Sequence, residues 1–169
     1  MQSYETELID LVNEQDQVIK TSMRSLFSDN PDLFMRIVIC FIVNDDGKMC
    51  IMRRSSDKAH WANCWAIPGG AVQSGETYDQ AMGRELEEEV NLNIESFENR
   101  CLGYVEPIKE HGPYHKKVYE VKVNSPIILL NVDDFSEYQW LTPQEIVALK
   151  DKESMCPDLV YLIKKFYTV

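Results

Sequence analysis

The chain has 169 residues, with 17 Lys and Arg against 28 Asp and Glu, and a formal charge of −11. That length favours one globular unit large enough to need no covalent staples. A content of 44% hydrophobic and 27% charged residues excludes wholesale disorder. So acidic a chain is a poor match for duplex nucleic acid or an anionic membrane, both of which call for a basic face.

Cys40, Cys50, Cys64, Cys101 and Cys156 are scattered, odd in number and in no CxxC pair. This is the pattern of reduced thiols in a cytoplasmic protein, not of a zinc site or disulfide framework. The first residues are acidic and lack the basic and apolar regions of a signal peptide. The longest apolar run, residues 34–43, contains Arg36 and falls short of the ~20 residues of a membrane-spanning helix. The expectation is a soluble cytoplasmic monomer or homodimer.

In chain order, residues 7–19 read as two short strands around a polar turn at 13–16, and 20–33 hold a short helical turn ending at Asn30-Pro31. Residues 1–33 are therefore expected to be an extension packed on a core domain of 34–169. Residues 36–43 are a β-branched apolar run, a buried central strand. Asn44-Asp45-Asp46-Gly47 turns the chain into a hairpin partner at 48–53. A loop carrying His60, Trp61 and Trp65 spans 55–68.

After Gly75 the period changes from 2 to 3.6. Thr77, with Gln80 three residues on, forms a capping box, and Asn91 suits a left-handed residue just past a helix end, which brackets a helix over 78–90. Strands follow at 101–108 and 117–123 around a basic loop holding His111, His115, Lys116 and Lys117, with 126–130 as a further edge. Thr142-Pro143-Gln144-Glu145 starts a helix. The last helix, 158–166, places Leu159, Leu162, Ile163 and Phe166 on one stripe. Intermixed strands and helices predict an α/β fold with a mixed sheet between helices.

The chemistry concentrates in residues 69–92, GGAVQSGETYDQAMGRELEEEVNL. At about 100° per residue, Glu85, Glu88 and Glu89 share an arc of about 100°, beside the apolar stripe of Met82, Leu86 and Val90. An acidic run is most often a solvated face. Here, however, like charges three and four apart cost a helix about 0.2–0.5 kcal/mol each. Their place in the C-terminal half costs a further ~0.3–1 kcal/mol against the macrodipole, and Arg84 offsets only part of this. A cluster that weakens its own helix points to a cation between the carboxylates. Hard oxygen ligands favour Mg²⁺, which also takes substrate phosphate oxygens. Pro68-Gly69-Gly70 lets backbone approach the same place.

These residues resemble the Nudix signature, G-x5-E-x7-R-E-U-x-E-E-x-G-U with U a bulky aliphatic. Gly70, Glu76, Arg84, Glu85, Leu86, Glu88, Glu89 and Leu92 match, and Asn91 stands where the signature has Gly. With roughly 7% for each of six fixed letters and about 44% for two apolar ones, ~150 windows give only a few chance matches per million. The resemblance implies a Nudix α/β/α sandwich that hydrolyses a nucleoside diphosphate linked to another moiety (NDP-X to NMP plus phosphate-X). Carried over by position, Glu85, Glu88, Glu89 and the Gly69 carbonyl would hold Mg²⁺ or Mn²⁺. Arg84 would orient Glu85 or its neighbours with Glu76 as its partner, and one of these glutamates (Glu88 or Glu85 favoured) or a loop carboxylate would deprotonate the attacking water. Divalent ions also explain how an acidic protein handles an anionic substrate.

Around this core, Arg53 and Arg54 read either as phosphate contacts or as a surface pair. Trp61, Trp65 and Tyr114 read as base-stacking rings or core. Glu137 sits where related enzymes carry an extra metal-binding or base carboxylate. The N-terminal half is similar to the isopentenyl diphosphate isomerase branch, but Gly69 and Ala71 stand where those enzymes carry their acid–base Cys and metal-binding His, which disfavours isomerisation. A non-catalytic ligand-binding domain is a third reading. It is disfavoured because all the signature glutamates are present.

Overall fold

The computed structural model describes residues 6–124 and 127–169. Its frame is a nine-stranded mixed sheet. At its centre lies β3 (Phe34–Asn44), followed by the hairpin partner β4 (Met49–Arg54). On the other side β3 runs parallel to β8 (Tyr114–Val123), with ten residues in register from Met35↔Tyr114 to Asn44↔Val123. β7 (Asn99–Val105) pairs antiparallel with β8, and β9 (Phe135–Leu141) pairs antiparallel with β4. The short β5 (Trp65–Ala66) joins β4, and β6 (Gly69–Ala71) joins β3.

β3 is buried on both faces, and its period of two sorts its side chains between two layers. Val38, Cys40 and Ile42 meet α1 (Tyr78–Val90) through Ala81, Met82, Leu86 and Val90. Phe41 and Val43 point the other way, to Ile146 of α2 (Pro143–Leu149) and to Leu159, Leu162 and Ile163 of α3 (Pro157–Phe166). The result is an α/β/α sandwich.

α1 has the ends its sequence predicts. The Thr77 hydroxyl accepts from the Gln80 N–H while the Gln80 side chain accepts from the Thr77 N–H, and Asn91 adopts φ 53°, ψ 34°. α2 opens with the same reciprocal cap between Thr142 and Glu145.

The N-terminal strands β1 (Leu8–Val12) and β2 (Val18–Met23) form a hairpin that joins the sheet through β1 and β3, followed by a 3-10 helix at Arg24–Asp29. Ile9 and Leu11 are buried with Met35 and Ala71, and Phe27, Ile37 and Tyr114 pack against them. The Asp10 carboxylate accepts from Thr21 and Ser74 hydroxyls and the Gly75 N–H, tying the hairpin to the turn before α1.

Five expectations change. β2 runs on to Met23, through the start of the stretch read as a helical turn, and Trp65–Ala66 of the expected 55–68 loop is β5. Phe135–Leu141, unassigned from sequence, is β9, whose side chains lack the strict apolar alternation that would mark it. Of the expected edge at 126–130, Pro126 lies outside the described residues and 127–130 form no strand. The strand expected from Lys117 begins earlier, at Tyr114, so His115 and Lys116 of the expected basic loop belong to β8 and are buried. Parallel pairing with β3, some 80 residues earlier, draws them in, which local composition does not reveal. Lys116 Nζ meets Asp158 Oδ2 at 2.9 Å and donates to the His111 carbonyl at 2.7 Å, pinning the start of α3 to β8.

Candidate active site

β6 and the buried face of α1 bring the signature together. Gly70 has no Cβ because one would stand 2.3 Å from Glu85 Oε1, so the carboxylate lies directly over the backbone. The Gly69 N–H donates to Glu89 Oε2 at 2.9 Å. Glu85 and Glu89 are both buried, and Glu88, further out, is about a third exposed. Glu87 is exposed, as its place on the helix predicts.

Arg84 organises the charge. Its Nε and Nη2 donate to the two Glu76 oxygens at 2.8 and 2.9 Å, Nη1 donates to Glu85 Oε1 at 2.7 Å, and Nη2 also reaches the Ala71 carbonyl at 2.9 Å. Glu88 Oε2 lies 3.5 Å from Nη1. Glu76 in turn accepts from the Gln73 N–H. A planar guanidinium serves this fork geometry; an ammonium would not.

Burial pushes the Glu85 carboxyl above the ordinary range, against the opposing charge of Arg84. Burial likewise pushes Glu89 well up, reinforced by the negative charge of Glu85. Glu76 goes the other way: burial would raise it, but the Arg84 and Gln73 hydrogen bonds hold it low. Two buried carboxylates that repel each other stay raised although Arg84 and Arg24 act on Glu85 and Arg54 on Glu89, an electrostatic deficit a cation would fill.

The cleft they line measures about 180 Å³ and also presents Glu7, Arg24, Arg54, Lys58 and Asp134. Asp134 was not singled out in the sequence. It is buried, its Oδ1 pairs with Lys58, and its Oδ2 has no hydrogen-bond partner. The segment before it is strapped to the end of α1: the Asn131 N–H donates to the Glu89 carbonyl at 2.8 Å, and the Asn91 side chain donates to the Leu129 carbonyl at 2.9 Å. An orphaned carboxylate oxygen, two carboxylates raised by burial and an all-oxygen donor set fit a hard divalent ion. Among the described residues, no three such groups are already gathered as a ready-made metal cage.

The cleft opens into a pocket of about 710 Å³ lined chiefly by apolar and aromatic side chains, among them Phe27, Met35, Ile37, Trp61, Tyr114 and Leu159. Trp61 is 56% exposed at φ 57° on its loop, and Trp65 is core, with Arg53 stacked 4.4 Å from its ring. Glu137 and Arg53 do not reach the cleft. They pair with each other across β4 and β9, and Arg53 also meets Glu153 at 3.2 Å. Arg54 is the member of the arginine pair that lines both cavities. No thiol lines the carboxylate cleft. Cys156 lines the larger pocket, and burial pushes its thiol up to about 11.

An α/β/α sandwich that turns three glutamates of one helix into a cleft beside an apolar pocket defines the Nudix class of hydrolase. The NUDIX domain model matches residues 33–160, and the chain belongs to the Nudix hydrolase family. It is similar to an uncharacterised Nudix hydrolase of Nostoc sp., 39% identical over 163 residues and covering 95% of this chain and 96% of the relative. The crystal structure of DR0079 from Deinococcus radiodurans superposes with a TM-score of 0.86 at 35% identity, over 96% of this chain and all of that one. The nucleoside triphosphatase NudI of Escherichia coli is 24% identical over 121 residues, 66% of this chain and 85% of its own. Enzymes of this family use divalent metals and act on nucleoside diphosphate derivatives. Among the described residues, no helix is long and apolar enough to cross a membrane.

Proposed function

We propose that the protein is a Mg²⁺-dependent pyrophosphohydrolase that cleaves a nucleoside-diphosphate-linked small molecule into a nucleoside monophosphate and a phosphorylated remainder. The observation that carries this reading is the juxtaposition of the buried Glu85 and Glu89 carboxylates with an apolar pocket sized for an organic group. Glu85, Glu88, Glu89 and the Gly69 carbonyl would hold Mg²⁺ or Mn²⁺. The ion, when bound, neutralises the diphosphate and lowers the pKa of water. Arg84 favours the ionised form of Glu85 against its burial and orients it through the fork to Glu76. Glu88, the most accessible of the three glutamates, takes the proton from the attacking water. Arg54, at the seam of the two cavities, faces the phosphates, and Trp61 covers the organic group. That NudI acts on nucleoside triphosphates supports a nucleotide substrate.

The test is turnover of a panel of nucleoside triphosphates, ADP-ribose and nucleotide sugars with Mg²⁺ or Mn²⁺, products resolved by chromatography. Cleavage of one class that needs the metal and falls by at least ~10²-fold in Glu88→Gln is expected. Unchanged cleavage in the mutant overturns the role of Glu88. Absence of cleavage across the panel, with ligand binding retained, favours a binding domain.

A further inference from the structure

The family domain begins at residue 33, yet the substrate cavities do not. Glu7, Arg24 and Phe27 lie before it, and each lines one of them: Glu7 the carboxylate cleft, Phe27 the apolar pocket, and Arg24 both. Among the described residues, four line both cavities: Arg24, Arg54, Gly69 and Gly70. A ligand with its anhydride in the cleft and its organic part in the pocket must cross this seam between two arginines and the glycine backbone.

Arg24 is held there by design of the hairpin. Its N–H donates to the Glu7 carbonyl at 2.8 Å, and its Nη1 meets the buried Glu7 carboxylate at 2.7 Å. Glu7 is itself fixed, 3.4 Å from the Gln73 side-chain amide. Phe27 follows one turn later, its ring 6.0 Å from that of Tyr114 on β8. The hairpin is anchored from both sides, by β1 on β3 and by Asp10 on the turn before α1.

We propose that residues 7–27 are a working wall of the substrate site, in which Arg24, positioned by Glu7, clamps the diphosphate opposite Arg54, and Phe27 with Tyr114 seats the ring of the substrate. Guanidinium groups suit this place because they donate in a plane to phosphate oxygens and remain charged at every working pH. The paired rings give the apolar body of a nucleoside a surface without consuming hydrogen bonds. The proposal rests on the reading of the cleft as a diphosphate hydrolase site. It also divides the labour: the α1 signature directs water onto the anhydride, and the extension selects what carries it.

The test uses the full chain with Mg²⁺ and four variants: Arg24→Gln, Arg24→Lys, Phe27→Ala and Phe27→Tyr. Two constants are read, the KM for the panel nucleotide that is cleaved best and the inhibition constant of inorganic pyrophosphate, which has no ring. Arg24→Gln is expected to raise both about tenfold with kcat within about threefold, and Arg24→Lys to recover part of the loss. Phe27→Ala is expected to raise the nucleotide KM about tenfold and leave the pyrophosphate constant unchanged, with Phe27→Tyr, which keeps the ring, recovering most of that loss. A wall that merely supports the fold gives a different result: both constants move together in both variants, in step with a lowered Tm. That outcome, or no change in either constant, overturns the proposal. If the wild type cleaves nothing, the hydrolase reading fails by itself. Thermal shift by Mg²⁺-pyrophosphate on wild type and Arg24→Gln then still decides whether Arg24 binds the diphosphate.

Discussion

The two adjoining cavities differ in how they are made. The carboxylate cleft draws its acidic helix, the arginine fork and the glycine floor from residues 69–92, and borrows Glu7, Arg24, Arg54, Lys58 and Asp134 from elsewhere. The apolar pocket has no such contiguous source: its lining runs from Arg24 to Leu162, through the extension, β3, the loop before β5, β8 and α3. Reactive groups must keep fixed mutual geometry, and a single helix and its preceding turn provide that cheaply. A specificity surface needs only the right shape and polarity, which distant segments can contribute in any combination.

Perturbing one cavity and reading the other sharpens this contrast. The largest stability effect is expected on the pocket side. Asp158→Ala leaves the fully buried Lys116 charge with the His111 carbonyl but no counter-ion, and removing one partner of a buried pair costs up to about 3–5 kcal/mol. Denaturant melts should show it, while Mg²⁺ affinity of the folded fraction stays close to wild type. A loss of metal binding there would join the two cavities into one unit and break the comparison. On the cleft side, Gly70→Ala drives a methyl into the Glu85 carboxylate. Activity should fall by about 10²-fold, as for a misplaced reacting group, with Mg²⁺ binding weakened in a titration and Tm little changed.

Thr77→Ala removes the cap that starts the acidic helix and should cost about 1 kcal/mol in thermal melts without altering pocket affinity. The smallest effect is expected at Asp10. Burial alone would raise its carboxyl, but hydrogen bonds from Ser74, Thr21 and Gly75 outweigh it and hold it below its ordinary 3.8. A carboxyl lowered in the folded state stabilises above its unfolded pKa, and that stability is lost as pH falls through the folded value. The stability advantage of wild type over Asp10→Asn, read from denaturant melts, should therefore be full at pH 7, shrink below pH ~4, and stay under about 1 kcal/mol because the group is partly solvated.

What could be read from the sequence follows the same division. The helix at 78–90 and both of its ends were legible because a capping box, a 3.6 period and an Asn in a left-handed conformation are local signals. So was the placement of Glu85 and Glu89 on one face beside Met82 and Leu86. Asp134 gave no such signal, since it lies 45 positions after Glu89 and is brought near it by long-range ties, among them the Asn131 and Asn91 straps. Arg53 and Arg54 were indistinguishable as letters. The alternation of β4 turns Arg53 onto Trp65 and toward Glu137 and leaves Arg54 at the seam. The lining role of Arg24 and Phe27 depends on how the hairpin docks, which no local pattern encodes.

Asn91 departs from the signature glycine and keeps its backbone geometry, but it adds an amide that glycine lacks. That amide holds the Leu129 carbonyl, five residues before Asp134. A segment already held at its base has less freedom to surrender when substrate arrives, so part of the ordering cost is met during folding instead of at each encounter. The expected kinetic signature is a rim that needs no slow rearrangement before chemistry. The signature's one mismatch thereby becomes a source of readiness in the free enzyme.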